Sequence, residues 1–153
     1  MTVNVNPVND GPTLNDITDP AAINEDAGQQ TVNLSGITDG DADLTQDITV
    51  TAVSSDTDII PNPTVTYTSA ETTGSLAYTP VANANGTATI TVTVSDGVSQ
   101  VQKTFDVVVN AVNDDPTIND IDDPAAINED AGEQTVNLSG ITDGDEDLTQ
   151  TIT

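Results

Sequence analysis

The sequence predicts an all-β fold built as a β-sandwich, and two observations carry that prediction. Apolar residues alternate with polar ones at a period of two, most clearly between Thr87 and Val94, where threonine alternates with alanine, isoleucine and valine. Such alternation is typical of an antiparallel strand with one buried face. The alternating runs are short and are separated by turn sequences such as Asp39-Gly40 and Asp96-Gly97.

Seven short strands, lettered A to G in chain order, follow from these runs and turns. They are predicted within or near residues 12–24, 30–36, 47–54, 63–68, 75–79, 87–95 and 101–109. Seven strands in about 100 residues, with turns between them, are typical of an immunoglobulin-like Greek-key β-sandwich. No segment carries the apolar stripe of an amphipathic helix.

The chain also repeats itself. Residues 9–49 return 104 residues later as 113–153, with 35 of the 41 positions identical. A period of this length exceeds the roughly 20–50 residues of a solenoid unit and matches a small domain. We therefore assign residues 1–8 to the tail of a preceding repeat and 9–112 to a complete sandwich repeat. Residues 113–153 are the first part of the next repeat, with strands A and B and the B–C loop.

The incomplete second copy leaves two arrangements open. Residues 113–153 are too few to bury a sandwich core of their own. Either they are held by the first module and its neighbours, or residues 49–153 form a permuted module and the head of the chain is the spare half. The repeat pattern does not distinguish these two arrangements.

The composition limits the function. The chain has 26 acidic residues against the single Lys103, for a net charge of -25. Without a basic stripe it has no means of neutralising phosphate, which excludes nucleic acid and direct contact with anionic membranes. It contains no His or Cys and no Trp, so we expect neither an enzyme nor a small-molecule substrate. Carboxylate and carbonyl oxygens favour a hard cation such as Ca²⁺.

The carboxylates concentrate in loops at the two ends of the predicted sandwich. Asp39, Asp41 and Asp43 recur at every second position of the B–C loop, a spacing that lets side chains converge on one ion. The candidate calcium ligands of the first repeat are Asn9, Asp10, Asp16, Asp19, Glu25, Asp26, Asp39, Asp41, Asp43 and Asp96. Those of the second copy are Asn113, Asp114, Asp115, Asp120, Asp123, Glu129, Asp130, Asp143, Asp145 and Asp147.

Three motifs carry a resemblance to known families. They are the Val-Asn-Asp-x-Pro junctions at 8–12 and 112–116, Asn-Glu-Asp-Ala-Gly at 24–28, and the threonine-rich run at 85–94. The Glu of the A–B loop, the Asn-Asp junctions and the Asp-x-Asp loop resemble cadherin-type calcium-bridged modules. The three motifs together resemble more closely the extender repeats of giant bacterial repeats-in-toxin-type surface adhesins.

That resemblance implies several Ca²⁺ ions at the poles and junctions. It places Glu25 of one repeat beside Asn113-Asp114, with Asp143 and Asp145 supplied by the next repeat. The expected partners are neighbouring repeats of the same polypeptide, outside the cell at a bacterial surface, where the array projects a distal binding domain. The alternative is a ligand-binding module that contacts a protein or a glycan through loops at one end.

Overall fold

The computed structural model describes residues 1–42, 44–145 and 148–153. The chain divides into two compact units, Met1–Ala111 and Val112–Thr153. Within the described residues every regular element is a strand, which confirms the predicted all-β class. Among those residues no helix is long and apolar enough to span a membrane.

All seven strands lie in the first unit. They are β1 (Ile23–Asn24), β2 (Gln30–Ser35), β3 (Thr49–Ser54), β4 (Thr64–Thr66), β5 (Thr73–Tyr78), β6 (Gly86–Ser95) and β7 (Gln100–Asn110). The predicted strands B to G correspond to β2–β7 with ends that differ by a few residues. The predicted strand A, residues 12–24, corresponds only to the two-residue strand β1. Upstream of β1, Thr13 forms an isolated bridge with Thr38 and the range forms no continuous ladder.

The strands form two sheets. One sheet has the order β1-β7-β6-β3 and the other has the order β2-β5-β4. The β1–β7 pair is parallel, whereas the ladders that join β2 to β5, β3 to β6, β4 to β5 and β6 to β7 are antiparallel. This arrangement confirms a two-sheet sandwich with immunoglobulin-like architecture.

The core lies between the sheets and is supplied mainly by β6 and β7. Ile90, Val92 and Val94 are fully buried, whereas the threonines between them are partly exposed. The period of two therefore sends one face of β6 inward along its whole length. Leu34 and Leu76 pack into the same core from the other sheet.

The second copy does not repeat this structure, although its sequence is nearly the same. In the first unit β2 pairs with β5 along its full length, from Gln30–Tyr78 to Ser35–Thr73. Residues 134–139 match β2 in sequence but form no strand, and Leu138 is 53% exposed where its counterpart Leu34 is 2% exposed. The second unit holds no counterpart of β5, so its strand B has no partner and no opposing core.

The topology also explains why the first copy completes the sandwich. A permuted module would need Asn113 in the place of Asn9, which hydrogen-bonds to Asp96 at the start of the turn before β7. β7 ends at residue 110, at the other end of the sandwich. Its 11 residues place residue 110 about 35 Å from the end where Asn9 lies. The three steps from residue 110 to residue 113 span at most about 11 Å. In the structure, residues from the first copy, and not residues 113–153, lie beside β7 in the first unit.

The core predicts the effect of truncating one side chain. Ile90→Ala removes a fully buried side chain, and we expect it to lower the free energy of unfolding by about 2–5 kcal/mol. Val53→Ala, at a position that is 52% exposed in β3, is the control and should cost no more than about 1 kcal/mol. Chemical denaturation followed by far-UV circular dichroism measures both. Equal losses would contradict the assignment of β6 to the core.

Candidate metal centre

Three segments meet at one end of the first unit: the inter-repeat segment around Asn9, the B–C loop, and the F–G turn. The backbone N–H of Asp10 donates to Asp41 Oδ1 at 3.1 Å, and Asn9 Nδ2 donates to Asp96 Oδ2 at 3.2 Å. We call this end the junction pole. It is defined by Asn9, Asp10, Asp39, Asp41, Gln46 and Asp96.

Gly40 allows the B–C loop to lie against the inter-repeat segment. Its φ is +84°, a region that side-chain-bearing residues rarely adopt, and a Cβ there would overlap the carbonyl oxygen of Gly11. Thr38 stabilises the turn, because its hydroxyl oxygen accepts a hydrogen bond from the Gly40 N–H at 3.2 Å. Asp39 and Asp41 flank Gly40. The close approach of the Gly40 and Gly11 backbones therefore places both aspartates near the inter-repeat segment.

Gln46 connects the B–C loop to the inter-repeat segment, although no sequence motif predicts a role for it. Its backbone N–H donates to Asp39 Oδ2 at 3.2 Å, and its side-chain amide donates to Asn9 Oδ1. A signal for its role is present in the sequence, since Gln150 occupies the same place in the second acidic loop. The amide of Gln46 can donate to Asn9 Oδ1, whereas a carboxylate in its place has no N–H to donate.

Two oxygens at the junction pole are buried without a hydrogen-bond partner. They are Asp41 Oδ2 and Gln46 Oε1. Buried oxygens of this kind are uncommon because losing water without a replacement partner costs free energy. One carboxylate and one amide oxygen are ligand types that suit Ca²⁺. The residues present therefore fit a calcium ion in their chemistry.

Among residues 1–42, 44–145 and 148–153, no group of three or more acidic side chains is arranged to hold a metal ion. Asp43, the third aspartate of the predicted loop triad, lies outside the described residues, as does Asp147 in the second copy. Ligation by the predicted residues stays a prediction.

Asp96 has a structural role in the F–G turn. Its Oδ1 accepts from the backbone N–H groups of Val98 at 2.7 Å and Ser99 at 2.6 Å, and only 6% of the residue is exposed. The hydrogen bond from the Ser99 N–H is the main cause that lowers the pKa of Asp96 to about 2, and burial opposes it. Asp96 therefore remains ionised at neutral pH and ties the F–G turn to Asn9.

The second unit reproduces the contacts between its junction and its B–C loop. The Asp114 N–H donates to Asp145 Oδ1 at 2.9 Å, and the Gln150 N–H donates to Asp143 Oδ2 at 3.1 Å. The Gln150 side chain donates to Asn113 Oδ1, as Gln46 does to Asn9. This unit has no F–G turn, so the arrangement depends on local sequence and not on a closed sandwich.

The structure places four other predicted residues away from the junction pole. Asp16 Oδ1 forms an ion pair with Lys103 Nζ at 2.6 Å. The hydrogen bond from Lys103 and its positive charge lower the pKa of Asp16. Asp19 Oδ1 accepts from the backbone N–H of Asp106 at 2.8 Å. The buried Glu25 and the exposed Asp26 lie at the opposite end, where β1 ends. The structure does not bring these four residues together with Asp39 and Asp41.

The remaining candidates of the second copy share one property: their side chains are exposed. They are Asp115, Asp120, Asp123, Glu129 and Asp130. The backbone of Asp115 lies where Gly11 lies in the first unit, against the glycine of the acidic loop. Their part in binding an ion also stays a prediction.

A depression beside the junction pole bears on the alternative of a ligand-binding module. It lies between the B–C loop and the loop before β5, is lined by Ile37, Gln46, Tyr67 and Ala70 among others, and has a volume of about 140 Å³. Small-molecule sites usually measure about 300–1,000 Å³. This depression is therefore smaller than a typical small-molecule site.

Comparison with known proteins agrees with the fold. A model of the bacterial Ig domain matches residues 9–110. The chain is similar to a chimeric titin Z1Z2 carrying a KLER exogenous peptide from decorin, at 14% identity over 69% of this chain and 100% of that one, with a TM-score of 0.48. It is also similar to domains 4 and 5 of the S-layer protein SbsC, at 22% identity, covering 71% of this chain and 57% of that one, with a TM-score of 0.40. No curated protein sequence matches it.

The two sheets and their strand order place the first unit in the class of immunoglobulin-like β-sandwich domains. The chain belongs to the bacterial Ig domain family, whose match from residue 9 to residue 110 includes all seven strands. Nothing in that assignment indicates an enzyme.

The pKa of Asp96 predicts a specific acid sensitivity. Its folded-state pKa of about 2 lies below the ordinary 3.8, so the ionised form stabilises the fold. That contribution is complete above pH 3.8 and is lost as the pH falls towards 2. We expect Asp96→Asn to melt below the unsubstituted protein at pH 6, with the difference shrinking between about pH 4 and pH 2. Calorimetric melting across this range measures it. A difference that stays constant with pH would contradict the assignment.

Proposed function

We propose that this chain is a calcium-stiffened structural extender from a large bacterial surface adhesin. The observation that carries the proposal is the junction pole, where the inter-repeat segment is held against an acidic loop that contains two buried oxygens without partners. The inter-repeat segment is the place where one repeat joins another. A cation bound there would restrict the connection between repeats as well as the loop.

The residues that would hold the ion are Asp39, Asp41 and Gln46, with Asn9 as the contribution of the inter-repeat segment. Bound calcium would supply positive charge between side chains that otherwise repel one another in a chain of net charge -25. Ligand binding to the folded state alone stabilises it by about 2.7 kcal/mol at 100 times Kd. Extracellular calcium modules have Kd values of about 10⁻⁴–10⁻³ M, so such a site would fill outside the cell.

The extender role is supported by the repeat and by the distribution of charge. Copies with 35 of 41 identical positions suit a part whose function is length, since each copy then adds the same spacing. The acidic residues are concentrated in loops and along the inter-repeat segments, where repeats meet. The single aromatic side chain at the depression beside the junction pole offers little surface for stacking a sugar.

Calcium dependence of stability is the first test. We expect about 10 mM Ca²⁺, which is about 10–100 times such a Kd, to raise the melting temperature of the 153-residue chain by about 5 °C or more relative to EDTA, the effect of about 1.4–2.7 kcal/mol in a domain of this size. Asp41→Asn should remove most of this rise because it weakens the central ligand. Asp58→Asn, an exposed position in the loop after β3, is the control and should keep the rise.

Two outcomes decide the calcium part of the proposal. Melting curves that coincide in EDTA and Ca²⁺ would contradict calcium binding at the junction pole. A rise that Asp41→Asn leaves intact would show that calcium acts at another place. Titration with Mg²⁺ at the same ionic strength separates a specific site from general screening of the acidic charge, which both ions provide.

Stiffening is the second test. Small-angle X-ray scattering of a tandem with three complete 104-residue repeats should show a longer maximum dimension in Ca²⁺ than in EDTA. The physical reason is that a restricted inter-repeat segment samples fewer bent conformations. An Asp41→Asn change in every repeat is the matched control and should scatter alike in both conditions. Equal dimensions of the unsubstituted tandem in Ca²⁺ and EDTA would contradict the extender mechanism.

A further inference from the structure

The outer face of the four-stranded sheet carries almost no charge, although the chain is strongly acidic. Its outward positions in β3, β6 and β7, all of which the structure describes, include one charged residue, Asp106. The whole chain has 26 acidic residues in 153. Depletion of charged residues, more than added hydrophobicity, distinguishes the core of a protein interface from the rest of a surface. The outer face of this sheet therefore has the composition of an interface.

The centre of this face is covered by hydroxyl, amide and methyl groups. We call it the threonine face, which consists of Thr51 and Val53 in β3, Thr91 and Thr93 in β6, and Gln102 and Thr104 in β7. The side-chain amide of Gln102 donates to Thr93 Oγ1 at 3.0 Å, so part of the polar surface is already bonded within the sheet. Val53 is 52% exposed and leaves apolar surface in contact with water.

The three-stranded sheet offers a smaller outer face. Its outward positions are also uncharged, but β2 and β5 have six residues each, whereas β6 and β7 have 10 and 11. Among the described strands, large apolar side chains that are exposed occur in β3 and β7, at Val53 and Val108, and not in β2, β4 or β5. The threonine face is therefore the better candidate for a contact with another molecule.

Addition of a strand at the free edge of β3 is obstructed at both ends. The N–H of Ile48, just before β3, donates to Ser69 Oγ at 2.9 Å, and the N–H of Ser54 donates to Asn62 Oδ1 at 2.9 Å. A strand that pairs with this edge would have to displace both side chains. A second molecule therefore meets this sheet through its face and not through its edge.

We propose that the threonine face binds the same face of a second copy of this chain. Two copies that each carry a net charge of -25 repel each other, and an uncharged face lets them meet without placing carboxylates opposite one another. A two-fold contact between identical faces satisfies this condition for both copies. The threonine face contains no aromatic side chain on which a sugar ring could stack. The inference goes beyond the proposed function and involves no metal ion.

The area of the face makes a single contact weak. Three strands about 4.8 Å apart, paired over six residues of about 3.4 Å each, cover about 300 Å² on each copy. Stable interfaces bury about 800 Å² on each partner, so one pair of faces forms a transient contact. In a tandem array, which the proposed function supposes, many such contacts act together and raise the affinity through effective concentration. The threonine face would then hold neighbouring arrays side by side.

The first test compares self-association of the full 153-residue chain with that of two matched variants. The face variant, Thr51→Asp with Thr104→Asp, places two carboxylates on the threonine face. The control variant, Thr31→Asp with Thr64→Asp, adds the same charge at exposed positions of the three-stranded sheet. Light scattering up to about 2 mM protein covers the range in which a contact with a Kd near 1 mM populates a complex. EDTA removes divalent ions, and about 0.5 M NaCl shortens the Debye length to about 4 Å.

We expect the face variant to lower the association constant at least about tenfold and the control variant to change it less than about twofold, because carboxylates that face each other across a contact repel. The exposed apolar side chains of the second unit are the same in all three proteins, so the difference between the variants is the readout. Equal association constants, or a loss confined to the control variant, would overturn the proposal.

The second measurement leaves the charge of the sheet unchanged. The chain has no cysteine, so Thr91→Cys introduces a single thiol near the centre of the threonine face, and Thr31→Cys is its control on the other sheet. We expect a short bifunctional thiol reagent to link two copies of Thr91→Cys at least about tenfold faster, since the contact raises the effective concentration of the two thiols. Thr31 is the more exposed of the two positions, so accessibility alone favours the control. Equal rates would contradict a contact between threonine faces.

An uncharged polysaccharide is the other occupant that the test must separate. Retention on dextran-coated beads is measured for the unsubstituted chain and for the face and control variants. Retention that the face variant alone loses, with self-association equal in all three proteins, would assign the face to a glycan and overturn the proposal. Equal retention of the two variants, together with the expected loss of self-association in the face variant, would support the contact between copies.

Discussion

Burial of one face of β6 and β7 is the constraint on which the rest of the molecule depends. These two long strands place fully buried side chains such as Ile90, Val92 and Val107 between the sheets. Every other element of the first unit is arranged around them: β3 pairs with β6, β1 pairs with β7, and β2, β4 and β5 cover the core from the opposite sheet. The second unit has no counterpart of β6 and β7, and its apolar residues are correspondingly exposed.

The distribution of charge follows from the same constraint. A core of small aliphatic residues cannot accept unpaired carboxylates, so the acidic residues occupy the turns and the segment beside β7. There they act on the backbone. Asp96 holds the F–G turn, Asp19 accepts from a backbone N–H of β7, and Asp41 accepts from the N–H of Asp10. The sandwich thus uses carboxylates as acceptors for backbone N–H groups, and the lowered pKa of Asp96 makes its contacts sensitive to acid.

The amino-acid sequence predicts part of the candidate metal centre. The spacing of Asp39 and Asp41 and their recurrence predicted an acidic loop, and the structure brings that loop to Asn9 and Asp10. Gln46 was missed because a lone glutamine carries no metal-binding signal in a sequence. Residue type alone places Asp16 and Asp19 with the loop acids, whereas in the structure their neighbours are Lys103 and the Asp106 N–H. Composition identifies acidic residues without saying which strand lies beside them.

Period-two burial and turn chemistry are local properties, so the class of fold, the strands from B to G and the repeat can be predicted from the amino-acid sequence. What each copy of the repeat becomes depends on contacts with distant parts of the chain. Residues 30–35 form β2 because β5 lies beside them, whereas the matching residues 134–139 lack such a partner and form no strand. The contacts between junction and acidic loop form in both copies, since they join residues close in sequence. A β-strand needs a partner from elsewhere in the chain, and no local pattern supplies one.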